Sequence, residues 1–242
     1  MSETVEKTGT GAILYDPTVL NHIEDASFSP AAWQRASGIE GRLRSAGRGA
    51  TTVVSDGRRT FVIRHYHRGG LASRVTSDAY LWLGENRTRS FLEFRLLAVL
   101  SDKGLPVPRP AAARYRRRGL FYTADLITEY APGIRPLSLR IADDTGRDFW
   151  RRLGAGISRF HDAGVNHADL NAYNVQVDGN DDVFVLDFDR GRLLAQGAWR
   201  ERNLARLHRS LEKVRSLDDR VRFSATDWQA LCEGYREAAR SA

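Results

Sequence analysis

An α+β fold in two lobes, a small β-rich N-terminal lobe and a larger helical C-terminal one, is predicted by three observations. Short apolar runs bounded by turn residues recur between residues 51 and 130, whereas apolar residues at helical spacing dominate the second half. The two regimes meet at Ala131-Pro132-Gly133, a proline-glycine turn. The 242 residues, 42% of them hydrophobic, suffice for one large domain or two closely packed lobes. The lobes are therefore expected at 1–130, which includes an N-terminal extension, and at 131–242. Disorder is expected only near the ends.

In the small lobe, Ala46-Gly47-Arg48-Gly49-Ala50 precedes the apolar stretch 51–54, and a second stretch, 60–64, follows Ser55-Asp56-Gly57-Arg58. This pattern predicts a glycine-cornered hairpin. Residues 90–100 have the apolar spacing of a helix packed on the sheet, with Glu93 inside it. Gly104-Leu105-Pro106-Val107-Pro108-Arg109-Pro110 breaks that helix and fixes an extended path. Residues 120–124 and 126–130 then read as strand, leading to a hinge near Glu129.

In the larger lobe, Asp143-Asp144-Thr145 offer N-caps to a helix that places Phe149, Trp150, Leu153, Ile157 and Phe160 near one face. Gly164 lets the chain turn out of it. His167-Ala168-Asp169-Leu170-Asn171-Ala172-Tyr173-Asn174 follows. The apolar runs 175–177 and 183–186 then flank Asp178-Gly179-Asn180-Asp181, which predicts a hairpin bringing Asn174 beside Asp187.

The spacing of Asp169 and Asn174, followed by Asp187-Phe188-Asp189, is that of a catalytic loop and metal-binding motif for phosphoryl transfer. Asp169 is then the base that reaches a substrate hydroxyl. Asn174 and Asp187 converge on magnesium at the phosphates of ATP. The bland alternative is that these residues cap helices and close turns, but two motifs in register argue against it. His167 is assigned a loop-organising role, His161 and Asp162 a packing or orienting one. The two-lobed fold is accordingly expected to be protein-kinase-like.

These assignments give the small lobe its roles. Gly47 and Gly49 carry no side chain to keep backbone amides from nucleotide phosphates, although the pair alone also fits an ordinary turn. Protein kinases carry a lysine on the next strand, paired with a helix glutamate. Here Arg64 ends Phe61-Val62-Ile63 and supplies the positive charge through a forked donor array, with Glu93 as its partner. A surface arginine at a strand end is the competing reading. Backbone groups near Glu129 are candidates for adenine binding, and a plain strand and turn is the other reading of that segment.

The net charge of +7 favours an anionic partner, and with lysine only at Lys7, Lys103 and Lys213 nearly all positive charge is arginine, suited to phosphate and carboxylate. A helix containing Leu204, Leu207, Leu211 and Val214 carries Arg202, Arg206, Arg209 and Lys213 on its other side, fit for an anionic lipid surface, a phosphorylated sugar or plain solvation. No nucleic-acid-binding motif accompanies the arginines. Cys232, the single cysteine, excludes an internal disulfide and a multi-cysteine zinc site. No apolar run approaches bilayer-crossing length and residues 1–10 lack the core of a signal peptide, so a cytosolic protein is expected.

Taken together, residues 46–50, Val62-Ile63-Arg64-His65-Tyr66 with Arg68-Gly69-Gly70, residues 167–174 and residues 183–192 resemble the 3-deoxy-D-manno-octulosonic acid (Kdo) kinase family of the lipopolysaccharide core kinase group. The resemblance covers most of the chain. It implies ATP-dependent phosphorylation of the 4-hydroxyl of a Kdo residue on a lipid A precursor, at the cytoplasmic face of the bacterial inner membrane. The implied partners are that lipid and the anionic inner leaflet, with no obligate protein partner. An arginine in place of the strand lysine is similar to that family's pattern. Ala168, standing where protein kinases place an arginine, argues against control by loop phosphorylation. A heptose kinase, an antibiotic phosphotransferase and a catalytically silent kinase-like module remain competing readings.

Overall fold

Alternation of side chains across a sheet organises the first unit. A computed structural model describes residues 2–35, 51–67 and 78–241. Gly47, Gly49 and residues 68–70 lie outside the described residues. Two units form, Met1–Asp102 with Pro108–Tyr130, and Lys103–Val107 with Ala131–Ala242.

Among the described residues of the first unit, one eight-stranded sheet contains β1 (Thr4–Lys7), β2 (Gly11–Tyr15), β3 (Gln34–Arg35), β4 (Thr51–Ser55), β5 (Thr60–His65), β6 (Tyr80–Leu81), β7 (Pro110–Arg118) and β8 (Phe121–Glu129). Its order is β1-β2-β7-β8-β5-β4-β3, with β6 paired to β8. The N-terminal residues, for which no element was expected, thus supply two ordered strands, and β2 pairs with β7 from Gly11↔Arg116 to Tyr15↔Ala112.

The β4–β5 hairpin forms as its sequence dictates. Asp56 Oδ1 accepts the N–H groups of Arg58 and Arg59, at 2.8 and 2.6 Å, and Gly57 takes the left-handed conformation at φ +90°. On β5, Phe61 and Ile63 enter a core with Ile13, Phe28, Val54, Ala112 and Ile127, so the period of two sends Arg64 to the other face. Helix α1 (Arg89–Asp102) packs on β7 and β8 and buries Phe91, Phe94, Leu97 and Leu100 along one stripe, which also carries Glu93.

The first unit also buries a polar chain. Arg114 donates to Asp125 Oδ2 from Nε and Nη2, at 3.0 and 2.8 Å, and to the carbonyl of Asp25 from Nη1 at 2.6 Å. His65 Nδ1 meets Asp125 Oδ1 at 2.7 Å.

The second unit comprises β9 (Arg135–Pro136), α2 (Leu137–Arg140), α3 (Arg147–Asp162), β10 (Val165–Asn166), β11 (Val175–Val177), β12 (Val183–Val185), β13 (Arg192–Leu193), α4 (Trp199–Leu217) and α5 (Ala225–Ser241). Helix α3 buries Phe149, Trp150, Leu153, Ile157 and Phe160 as its spacing predicts. Its N-cap is Gly146, not one of residues 143–145, and no side chain caps it. Two glycines let α3 and α5 touch backbone to backbone. A Cβ at Gly154 would lie 2.0 Å from the carbonyl oxygen of Leu231, and one at Gly234 would lie 2.0 Å from that of Arg151. Gly164, at φ +81°, turns the chain out of α3 into β10 and the loop beyond.

Candidate active site

The loop 167–174 is held from inside by a buried imidazole. His167 Nδ1 accepts the backbone N–H of Asp169 at 3.1 Å, and Nε2 lies 3.0 Å from the carbonyl oxygen of Leu186, so the ring is neutral with its proton on Nε2. Burial is the main reason its pKa lies below 6.5, against the opposing pull of the Leu186 carbonyl. Phe188 closes over the ring, its centroid 4.9 Å away, and is itself buried. His167 therefore organises the loop, as its sequence position suggested, and leaves Asp169 exposed to solvent.

Helix α4 grips the same loop from outside. Asn203 Oδ1 accepts the N–H of His167 at 3.1 Å, and Ser210 Oγ accepts the N–H of Ala172 at 3.1 Å. Between them, Arg206 Nη1 donates to Asp169 Oδ1 at 2.5 Å. The sequence placed Arg206 on a basic helix side but gave no link to Asp169. Inside the loop, Asn171 Oδ1 accepts the N–H groups of Tyr173 and Asn174, at 2.8 and 3.0 Å, in an Asx turn. Asn174 Nδ2 donates to the carbonyl of Asp169 at 3.0 Å. That bond ties the proposed base to the proposed metal ligand and reserves the amide oxygen of Asn174 as an acceptor.

The β11–β12 hairpin brings the second acidic motif alongside. Its register runs from Val175↔Val185 to Val177↔Val183 around the turn at 178–182. Leu186 N–H then donates to the Asn174 carbonyl at 2.9 Å, so Asp187 follows one residue beyond the Asn174 pairing. Asp187 sits at φ +61°, a conformation unfavourable for a side-chain-bearing residue and typical of functional sites. No group of three or more His, Cys, Asp or Glu suited to a metal occurs among the described residues. An amide oxygen and a carboxylate are nonetheless the hard-donor set that suits magnesium, which takes its other ligands from phosphates and water.

The first unit holds the arginine–glutamate pair. Arg64 Nη2 donates to Glu93 Oε2 at 2.5 Å, and the Tyr66 hydroxyl donates to the same oxygen at 2.6 Å. The Arg64 guanidinium also stands 4.7 Å above the Tyr66 ring. Glu93 is 3% exposed, so its charge depends on these partners. The sequence named Tyr66 only as the end of the Val62-Ile63-Arg64-His65-Tyr66 motif and gave it no role, although it follows Arg64 at a strand's period of two. At the end of β8, the Glu129 N–H donates to the Arg109 carbonyl at 2.8 Å and the Tyr130 N–H to the Thr60 carbonyl at 2.8 Å. The Glu129 carboxylate pairs with Arg59 at 3.2 Å. Both N–H groups are thus committed within the unit.

Residues 33–235 match the lipopolysaccharide kinase (Kdo/WaaP) family. The chain is 48% identical over 213 residues to the 3-deoxy-D-manno-octulosonic acid kinase of Stenotrophomonas maltophilia, covering 87% of this chain and 84% of that protein. It is 47% identical to the protein of the same name from Xanthomonas campestris pv. campestris, with the same coverage. With that of Xylella fastidiosa the identity is 41% over 227 residues, 93% of this chain and 89% of the other.

Proposed function

The chain belongs to the lipopolysaccharide kinase (Kdo/WaaP) family, and we propose that it transfers the γ-phosphate of ATP to the 4-hydroxyl of a Kdo residue on a lipid A precursor during lipopolysaccharide inner-core synthesis. The observation that carries the reading is the loop 167–174. His167, Asn203 and Ser210 immobilise its backbone, yet Asp169 stays exposed and tied to Asn174.

The Asp169 carboxylate accepts the proton of the sugar hydroxyl. The oxygen attacks the γ-phosphorus, the bond from that phosphorus to the β–γ bridging oxygen breaks, and ADP leaves. Arg64, braced by Glu93 and Tyr66, offers its guanidinium to the nucleotide phosphates. Gly47 and Gly49 are assigned to the phosphate loop, and the segment around Glu129 to the adenine. Asn174 and Asp187 would hold a magnesium ion, which when bound neutralises phosphate charge. Residues 1–130 thus serve the nucleotide and 131–242 the chemistry. The protein's own contribution is positioning and charge neutralisation.

Peripheral attachment at the cytoplasmic face of the inner membrane is part of the proposal. No helix among the described residues is long and apolar enough to cross a membrane, and the net charge of +7 suits an anionic leaflet. The test is γ-phosphate transfer from radiolabelled ATP, with magnesium, to a Kdo-bearing lipid A precursor beside heptose-extended and Kdo-free lipids. Label on the Kdo lipid alone, mapped to the 4-hydroxyl, supports the reading. Label on heptose moves the activity to another core sugar, and ATP binding without transfer removes it.

A further inference from the structure

Arg206 is aligned with Asp169 by the helix that carries it. Asn203, Arg206 and Ser210 stand at i, i+3 and i+7 on α4 and meet loop residues 167, 169 and 172 in the same order. The loop 167–174 contains no lysine or arginine of its own, so Arg206 supplies a cation at the proposed base. The two side chains are 49% and 55% exposed.

This pair poses a chemical problem. The guanidinium hydrogen bond takes up Oδ1 of Asp169, one of the two carboxylate oxygens that would have to face a substrate hydroxyl. Yet the pair is solvent-exposed, and such pairs contribute little to stability, so another carboxylate can replace Asp169 at small cost. A sugar acid carries one. In Kdo the carboxyl carbon is separated by only two carbons from the carbon bearing the proposed acceptor hydroxyl.

We propose that Arg206 binds the carboxylate of the sugar-acid acceptor, giving up Asp169 as it does so, and thereby selects an acidic sugar and frees the base in one exchange. The inference rests on the reading of Asp169 and of Kdo as acceptor given above. Arg206 is then a specificity-determining residue that touches substrate. Its fork matches a carboxylate in a way that a lysine ammonium does not.

The experiment compares the full-length wild type, Arg206→Ala and Arg206→Lys on two lipid A precursors, one with free Kdo and one with its Kdo carboxylate methyl-esterified. For the wild type, esterification lowers kcat/KM by about 10- to 100-fold, mostly through the acceptor KM, the range for one charge-assisted hydrogen bond. Arg206→Ala loses a similar factor on the free acid, keeps its KM for ATP and treats the two lipids alike. Arg206→Lys falls between.

An Arg206→Ala enzyme that still discriminates acid from ester as the wild type does overturns the proposal. So does one whose ATP KM rises while the acceptor KM stays fixed, since the cation then serves the nucleotide. A wild type silent on both lipids removes the Kdo reading and this proposal together, whereas an active wild type indifferent to esterification removes this proposal alone.

Discussion

His167 links Asp169 to Leu186 through the two nitrogens of one ring, accepting the Asp169 N–H at 3.1 Å and standing 3.0 Å from the Leu186 carbonyl. One neutral side chain thereby sets the path of the loop before Asp169 and of the strand end before Asp187. His167→Phe keeps an aromatic ring, a somewhat larger one, and removes both bonds. We expect kcat to fall by about 100-fold, the usual cost of misplacing a reacting group by an ångström, with a smaller change in ATP affinity. Steady-state kinetics beside ATP titration will check it. Because burial holds the imidazole pKa below 6.5, the ring is neutral near neutral pH, and the pH–rate profile there should keep its shape in His167→Phe.

Arg64 and Glu93 are linked in stability as well as in function. Glu93 is 3% exposed and Arg64 is its charge partner at 2.5 Å. Arg64→Ala takes the guanidinium from a buried carboxylate, leaving that charge less compensated although Tyr66 still donates to it, and is expected to cost about 3 kcal/mol. Arg64→Ala/Glu93→Gln removes that charge and should recover part of that stability without recovering ATP affinity. Chemical denaturation and ATP titration of the variants separate the two effects. A double variant no more stable than Arg64→Ala rules out the buried charge as the cause.

Local chemistry made much of this legible in the sequence. The turn at Asp178-Gly179-Asn180-Asp181 and the apolar runs beside it fix the β11–β12 register, and that register alone sets Asn174 near Asp187. The period of two on β5 and the helical stripe of α1 point Arg64 and Glu93 to a common side. What escaped depends on long-range alignment. Arg206 meets Asp169 only because α4 is rotated so that Asn203 and Ser210 face the loop. Arg114 reaches Asp125 through the β7–β8 pairing Arg114↔Asp125, a register that no local pattern announces. The β1–β2 hairpin was missed because the pairing that builds it into the sheet, β2 with β7, joins residues about a hundred positions apart.

Two histidines, the half-buried His65 and the buried His161, should make the units respond oppositely to pH. In the first unit the hydrogen bond from His65 to Asp125 raises the imidazole pKa above 6.5, overcoming the burial that opposes it. A raised histidine contributes stability that is complete below 6.5 and fades as pH climbs through its folded value. In the second unit His161 is buried beside the Arg200 charge, and burial first and that charge second push its pKa down to about 4. Its contribution is complete above 6.5 and is lost as pH falls toward 4, an effect of ~3 kcal/mol. Hydrogen exchange at pH 5 and pH 8 should therefore show β5 and β8 better protected at the lower pH and α3 and α5 at the higher. His65→Gln should flatten the first response and leave the second.

Arg202, Arg209 and Lys213 flank Arg206 at i−4, i+3 and i+7 on the exposed side of α4, opposite the buried Leu207, Leu211 and Val214. None of the three makes an ion pair with another described residue, so their charge is available to an anionic surface. A cation near such a surface contributes about 1 kcal/mol. Replacing all three by serine should then weaken binding to phosphatidylglycerol-containing vesicles by roughly 100-fold, and should flatten its dependence on salt because fewer charges remain to be screened. Co-sedimentation at low and high ionic strength measures both. Unchanged vesicle binding by the folded triple variant would assign membrane attachment to another basic surface and leave this face of α4 to solvent.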